Sequence, residues 1–474
     1  MACRPSSHWL LSSLLTLSAG LTVAAGPSGC NNSRKGASID GSVDPKADMA
    51  EPVAAHGCKL SGSSQQLSNL TGQHGYPRIA TSGGGYTVAW VSGIASTPRT
   101  FRIDVALADK TGNNLGPNIP LSATAIAASD PPSISPVTGG ISVAWTRATG
   151  TTTDIVLSTL DSTGQKLDSA GKPCDPGDAA CGITAITSSG LAHTPFLERP
   201  FGDQHITGPT ADQLGVAFID TRNYPCTTQP CSTSNDVFWK RVQTNGTELI
   251  FEKQLTQHGR FASPRLAFDG FHQGVVWRDI TTGTSSDMFF LTIDNMGVAS
   301  SSDIKIGTSS GTNAQSTPDI VWNGSDYAVI SATGSETAAA IIYQRQASTG
   351  ASTLSPRGVS FGGSTCTPAI AYDGTGYGVV YQAECGTAGS DLSFVHIDQD
   401  GVRTALDGSS CGDSVDPTCG VITASHDVRQ GASQPQMVYG GDGQFAIVWM
   451  QGAAGADLSS GVPLEVYMQR ISCL

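Results

Sequence analysis

The side chains that could do chemistry in this chain come in small, separated groups. Asp220 and Arg222 stand two residues apart, and Arg278 and Asp279 are adjacent. A guanidinium presents a fork of donors and a carboxylate accepts hydroxyl or amide protons, so such pairs recognise a carboxylate, a sugar or a peptide when they line a ligand site. The same pairs also serve as local ion pairs that brace their own loops. These four residues are the candidate ligand-binding set. His74, His193, His258 and His426 recur before one strand of a repeat, but no carboxylate or second histidine stands at ligand spacing from them, so no metal is expected. Gly307–Gly311 matches G-x-S-x-G, yet a nucleophile elbow needs a following helix, and the residues after it read as a strand. Asp398-Gln-Asp400-Gly401 lacks the later ligands of a calcium loop. The sequence singles out no pair of carboxylates for glycoside hydrolysis, no catalytic residue and no cofactor.

The elements that must position these groups are far clearer. A five-residue phrase recurs seven times: Tyr86–Trp90, Ile141–Trp145, Leu214–Phe218, Gln273–Trp277, Tyr327–Ser331, Tyr377–Tyr381 and Phe445–Trp449. Each copy follows a phrase opening with proline, at Pro77, Pro132, Pro195, Pro264, Pro318, Pro368 and Pro435. Proline is tolerated at the first residue of a strand, where its missing N–H costs no ladder bond, so the prolines are expected to start strand A and the phrase to form strand B. Turn-formers such as Asp269-Gly270 and Asp373-Gly374 sit between them and supply the φ > 0 that tight hairpins need. A third apolar phrase follows, opened by a carboxylate in six copies (Asp104, Asp154, Asp236, Asp287, Asp391, Glu465). These carboxylates are expected to accept backbone N–H bonds from the preceding loop. A short fourth phrase closes each unit after the first six third phrases. The seventh third phrase runs into Leu474, and its missing partner stands at the other end of the chain as Gln66–Ser68.

Four strands per unit in a tandem array is the pattern of a β-propeller. The expectation is an all-β chain: a seven-bladed β-propeller of four-stranded antiparallel blades, closed by the N-terminal strand in the last blade. In blade 3, Phe218, Asp220 and Arg222 followed by Asp236, Val237, Phe238 and Arg241 resemble a W-x-D-x-R … D-I-Y-x-x-R repeat. On these residues the stretch from Cys58 to Leu474 resembles the seven-bladed propellers of exported bacterial surface proteins. The resemblance implies the fold and leaves the activity open.

Residues 1–25 read as a signal peptide, with Arg4 ahead of an apolar run and Val23-Ala24-Ala25 at its end. Pro27-Ser-Gly-Cys30 resembles a bacterial lipobox, so Cys30 is expected to carry a lipid. Residues 26–57 are poor in large apolar side chains and read as a disordered tether, and 58–474 as the propeller. Ten cysteines lie beyond Cys30, an even number suited to an oxidising compartment. Local spacing pairs Cys174 with Cys181, Cys226 with Cys231, Cys366 with Cys385 and Cys411 with Cys419. Ring closure pairs Cys58 with Cys473, with strand D of the last blade at Gln66–Leu70.

The charge balance is acidic, 26 Lys and Arg against 39 Asp and Glu, which argues against nucleic acid and against electrostatic docking on anionic lipid. The expected protein is an extracytoplasmic monomer, a lipoprotein of the outer membrane or cell surface that touches the membrane only through its lipid, or else a secreted protein. Its partner is a protein, a peptide or a glycan. The expected role is a non-catalytic binding or scaffold module. The alternative is a propeller enzyme, such as a glycoside hydrolase or a lyase, with its site in the ring mouth.

Overall fold

Alternating apolar residues and glycine-bearing hairpins build the whole molecule from antiparallel strands. The computed structural model describes residues 57–473 apart from 69–71, 95–99, 123–129, 199–211, 224–233, 311–316, 386–389, 413–415, 426–430 and further breaks of one or two residues. Among the described residues there is no helix, and so none long and apolar enough to cross a membrane.

The strands group into seven units of A, B, C and D in chain order. The inner strands are Gln73–Ser82, Ser133–Val137, Ala192–Glu198, Phe261–Phe268, Asp319–Trp322, Thr365–Tyr372 and Gly431–Tyr439. Each touches the next, and the last touches the first, so the blades form a closed ring. In blade 2 the outer strand is split into Lys166–Leu167 and Ile183–Ala185, both on Thr152–Asp161. The fully buried Trp90, Trp145, Trp239, Trp277 and Trp449 fill the cores between blades.

The N-terminal strand Cys58–Gln66 pairs antiparallel with the final strand Leu464–Cys473 and supplies strand D of blade 7. It begins eight residues earlier than expected. Cys58 stands directly opposite Cys473, Gln66 reaches Tyr467, and a register shift between Ser61 and Gln65 takes up the extra chain. The disulfides Cys58–Cys473, Cys174–Cys181, Cys366–Cys385 and Cys411–Cys419 are all present. Cys226, Cys231 and Cys30 lie outside the described residues. Four disulfides mark the chain as extracytoplasmic.

The prolines do not start strand A as expected in five of the blades. Pro77, Pro195, Pro264, Pro368 and Pro435 lie inside it, each at a bulge. The residue before each (Tyr76, Thr194, Ser263, Thr367, Gln434) has φ between 46 and 55°. A bulge leaves one residue outside the ladder, which gives proline's missing donor a place within a strand.

The carboxylates of strand C also differ from expectation. Asp236 accepts from Gln254, Asp287 pairs with Lys305, and Glu465 accepts from Gln66 and Ser68, so their partners come chiefly from strand D. The serine or threonine ending strand D has its own repeated task. Ser122, Thr187, Thr256, Ser360, Ser425 and Ser68 accept the backbone N–H groups of Ile103, Ile155, Val237, Ile341, Leu392 and Val466 near the start of strand C. In six blades one hydroxyl thus satisfies a buried donor at the outer ladder's end.

Candidate functional site

The sequence-derived candidates fall into two separate settings. Asp220 closes strand B of blade 3, fully buried, and accepts Ser189 Oγ at 2.7 Å and the Arg222 backbone N–H at 2.7 Å. The Arg222 guanidinium bonds Asp220 at 2.5 Å and Glu252, and lies over the Phe238 ring with its carbon 4.5 Å from the centroid. Arg278 and Asp279 belong to blade 4. Arg278 is buried and donates to Ser286 Oγ at 2.9 Å, and Asp279 accepts the Thr281 N–H at 2.8 Å. Each group bonds its own blade. His74 is buried against Ser92 and Trp90, and His193 bonds Thr194. His258 and His426 lie outside the described residues. Among the described residues no group of three His, Cys, Asp or Glu side chains could hold a metal.

The inner strands bring together a different set. Arg78, Ser133, Phe196, Arg265, Asp319, Ala369 and Gln436 each pair with the fourth residue of the neighbouring strand B phrase. They therefore occupy one level of the ring. Two residues on, and so on the same side of each strand, comes a second level: Ala80, Ser135, Glu198, Ala267, Val321, Ala371 and Val438. Glu198 is the one charged side chain in that lower level.

Charges from non-neighbouring blades act on each other here. Arg78 of blade 1 feels Arg265 of blade 4 and Asp319 of blade 5, and Glu198 of blade 3 feels Asp319. All four stand on inner strands of the ring, Arg78, Arg265 and Asp319 on the first level and Glu198 on the second. Glu198 and Asp319 keep part of their surface open to solvent although protein surrounds them. Burial pushes the Glu198 carboxyl up to about 8, and the charge of Asp319 adds to the rise. Burial also raises Asp319, while Arg265, the Ile370 and Ile320 N–H groups and Arg78 pull it back without cancelling the effect. Asp319 Oδ2 accepts the Ile370 N–H of blade 6 at 3.1 Å, as Ser133 Oγ accepts the Leu197 N–H of blade 3 at 2.8 Å. Asp319 thus pins two inner strands together. Arg78 and Arg265 each donate to the carbonyl of the proline before them, at 3.0 Å, and both guanidinium groups stay cationic at neutral pH.

Glu198, whose carboxyl burial pushes up to about 8, thus feels the charge of Asp319, which in turn feels Arg265 and Arg78. The sequence offered a thin signal for this set: charges within inner strands, right after proline at 78, 265 and 319, where the other blades carry neutral residues. Glu198 and Asp319 are two carboxyls that the sequence did not single out.

No family model and no curated protein matches the chain. Solved structures that resemble it include an α-L-arabinanase from Penicillium chrysogenum, at 12% identity and TM-score 0.43, covering 86% of this chain and 98% of that one. The NanB sialidase of Streptococcus pneumoniae matches at 11% and 0.42, covering 87% and 70%. An α-L-arabinofuranosidase from Fusarium graminearum matches at 12% and 0.42, covering 86% and 98%. At this identity the likeness is one of fold. These neighbours are named as an arabinanase, a sialidase and an arabinofuranosidase, which runs against the expected non-catalytic binding or scaffold role and toward the enzyme alternative.

Proposed function

We propose that the chain is an extracytoplasmic propeller hydrolase that cleaves glycosidic bonds at the axial channel. The observation that carries this reading is that two carboxyls from different blades, Glu198 and Asp319, stand on inner strands of the ring, partly open to solvent and both raised by the surrounding protein. Glycoside hydrolysis runs on two carboxyl groups, an acid for the departing oxygen and a carboxylate for the water or the anomeric carbon. Glu198, with its proton retained to about 8, protonates the glycosidic oxygen as its bond to the anomeric carbon breaks. Water adds to that carbon, and its proton passes to the carboxylate of Asp319. Arg78 and Arg265 favour the ionised form of Asp319.

The test is release of reducing ends from a panel of plant, bacterial and host polysaccharides by the full chain. Glu198→Gln is expected to lose at least about a hundredfold in rate, and wild-type activity to decline as pH rises past 8. No release from any substrate, or a Glu198→Gln rate equal to wild type, overturns the reading.

For location, the signal peptide at 1–25 and the tether at 26–57 support export, with Cys30 as the lipid-bearing residue. Eight of the ten later cysteines are consumed in disulfides, and pairing of Cys226 with Cys231 would leave Cys30 as the acceptor. This keeps the chain in the exported bacterial surface type, a monomer whose partner is a glycan. Intact mass of the membrane-bound protein checks it, and an N-terminus at Gly26 without a diacylglyceryl adduct rejects it.

A further inference from the structure

Positive charge collects in the channel of a chain whose formal net charge is −13. Four ionisable groups meet there. Arg78 and Arg265 are positive, while burial raises the carboxyls of both Glu198 and Asp319 and so disfavours their negative charge. The two guanidinium charges are therefore not fully balanced by the carboxyls at these levels.

Several other cations are answered directly. Arg102 pairs with Asp104 at 2.8 Å, Arg222 with Asp220 at 2.5 Å, Lys240 with Glu248 at 2.5 Å and Lys305 with Asp287 at 2.8 Å. Arg78 and Arg265 differ. Each is only 6% exposed, and among the described residues each has one bond, to a backbone carbonyl, and no direct ion pair. A cation taken out of water without an anion is costly, and an incoming oxyanion offsets that cost. A guanidinium also prefers oxyanions geometrically, since its donors match two oxygens at once. Phe196 shares the level of both arginines, with the Arg265 guanidinium carbon 4.9 Å from its ring centroid. That ring holds Arg265 in place and offers an apolar edge beside the charged donors.

We propose that the channel takes a carbohydrate bearing an oxyanion, a sugar acid or a sulfated sugar, with the negative group held by Arg78 and Arg265. The carbohydrate part rests on the hydrolase reading, whereas the anion part rests on the two arginines.

The test is calorimetric titration of the full chain at pH 6.5 and low salt with three probes: a galacturonic acid trimer, a sulfated galactose trimer and the neutral galactose trimer. At least one charged trimer is expected to bind about tenfold or more tighter than the neutral one. Preference for the uronate assigns the group as a carboxylate, preference for the sulfated trimer as a sulfate, and equal gain as any oxyanion; all three support the proposal. Arg265→Gln should cut the preference to about twofold or less, with Arg265→Lys recovering part of it. Should those variants fail to fold, the wild-type comparison of charged and neutral trimers still decides. A neutral trimer bound as tightly as the charged ones, or no binding by any of the three, overturns the proposal. Cleavage of neutral glycans without a charge preference sinks the anion site and leaves the hydrolase, while tight anion binding without cleavage of any glycan does the reverse.

Discussion

Cys58 and Cys473 stand opposite each other in the register of the first and last strands and are joined by a disulfide across 415 residues of sequence. In the other blades, strand C runs into strand D through continuous chain; in blade 7 this bridge takes its place. The chain-entropy model gives roughly 6 kcal/mol for a loop of that length, an upper figure, against roughly 2.5 kcal/mol for the Cys174–Cys181 separation of 7. Replacing Cys58 and Cys473 together by serine is therefore expected to lower the melting temperature by about 5–7 °C, and the Cys174/Cys181 pair by about 2–3 °C. Calorimetric melts check the order, and a larger loss at Cys174/Cys181 contradicts closure of the ring by this bond.

Glu198 makes stability depend on pH with a definite sign. Unfolded, its carboxyl ionises near 4.5; folded, it holds its proton to about 8. Between these values the folded state binds more protons than the unfolded one, so this contribution falls as pH rises from 4.5 to 8. Glu198→Gln has no proton to lose. The wild-type melting temperature should fall by about 3–5 °C relative to that variant between pH 5 and pH 8.5, equivalent to a few kcal/mol. Parallel curves for the two proteins across this range would show that Glu198 ionises normally.

Asp220 is the joint of the B–C connection in blade 3. It has no exposed surface and holds a serine hydroxyl, a backbone N–H and a guanidinium together. Asp220→Ala strands those donors and is expected to cost about 2–4 kcal/mol by chemical denaturation. Arg222→Gln should cost less, since Arg222 is partly exposed. An Asp220→Ala protein of wild-type stability that has lost glycan binding would restore Asp220 and Arg222 as a ligand site.

The ring was legible because its signals are local. A strand B phrase, a turn with Asp-Gly or Asn-Gly and a proline all lie within about a dozen residues, and their repetition averages out single misreadings. Register was less legible: the N-terminal strand lies at Cys58–Gln66, since a bulge between Ser61 and Gln65 absorbs residues that a straight count assigns to a loop. The channel was not legible. Arg78, Glu198, Arg265 and Asp319 are spread over four blades, and each alone is one polar residue in an inner strand. Only closing the ring brings them to one axis, and only burial there makes Glu198 keep its proton. Asp220, Arg222, Arg278 and Asp279 drew notice because loop charges near each other in sequence look like a site, although the contacts of each run within its own blade.

Asp373 illustrates a carboxylate whose pH effect runs the opposite way to that of Glu198. It sits in the A–B turn of blade 6 and accepts the Thr375 N–H at 2.8 Å, the Gly376 N–H at 2.7 Å and His396 Nε2 at 2.8 Å. Burial works to raise its carboxyl, but the His396 bond, the two backbone bonds and the His396 charge outweigh it and hold the carboxyl well below the usual 3.8. A depressed carboxyl adds stability that is present in full above its unfolded value and lost as pH falls through the folded one. Asp373→Asn is thus expected to cost about 1–3 kcal/mol at pH 7, with the gap to wild type closing progressively below pH 4. Denaturation at pH 7, 4 and 2.5 measures it. A deficit of the same size at all three values would mean that the turn is held by shape and neutral hydrogen bonds alone, with no share for the charge of Asp373.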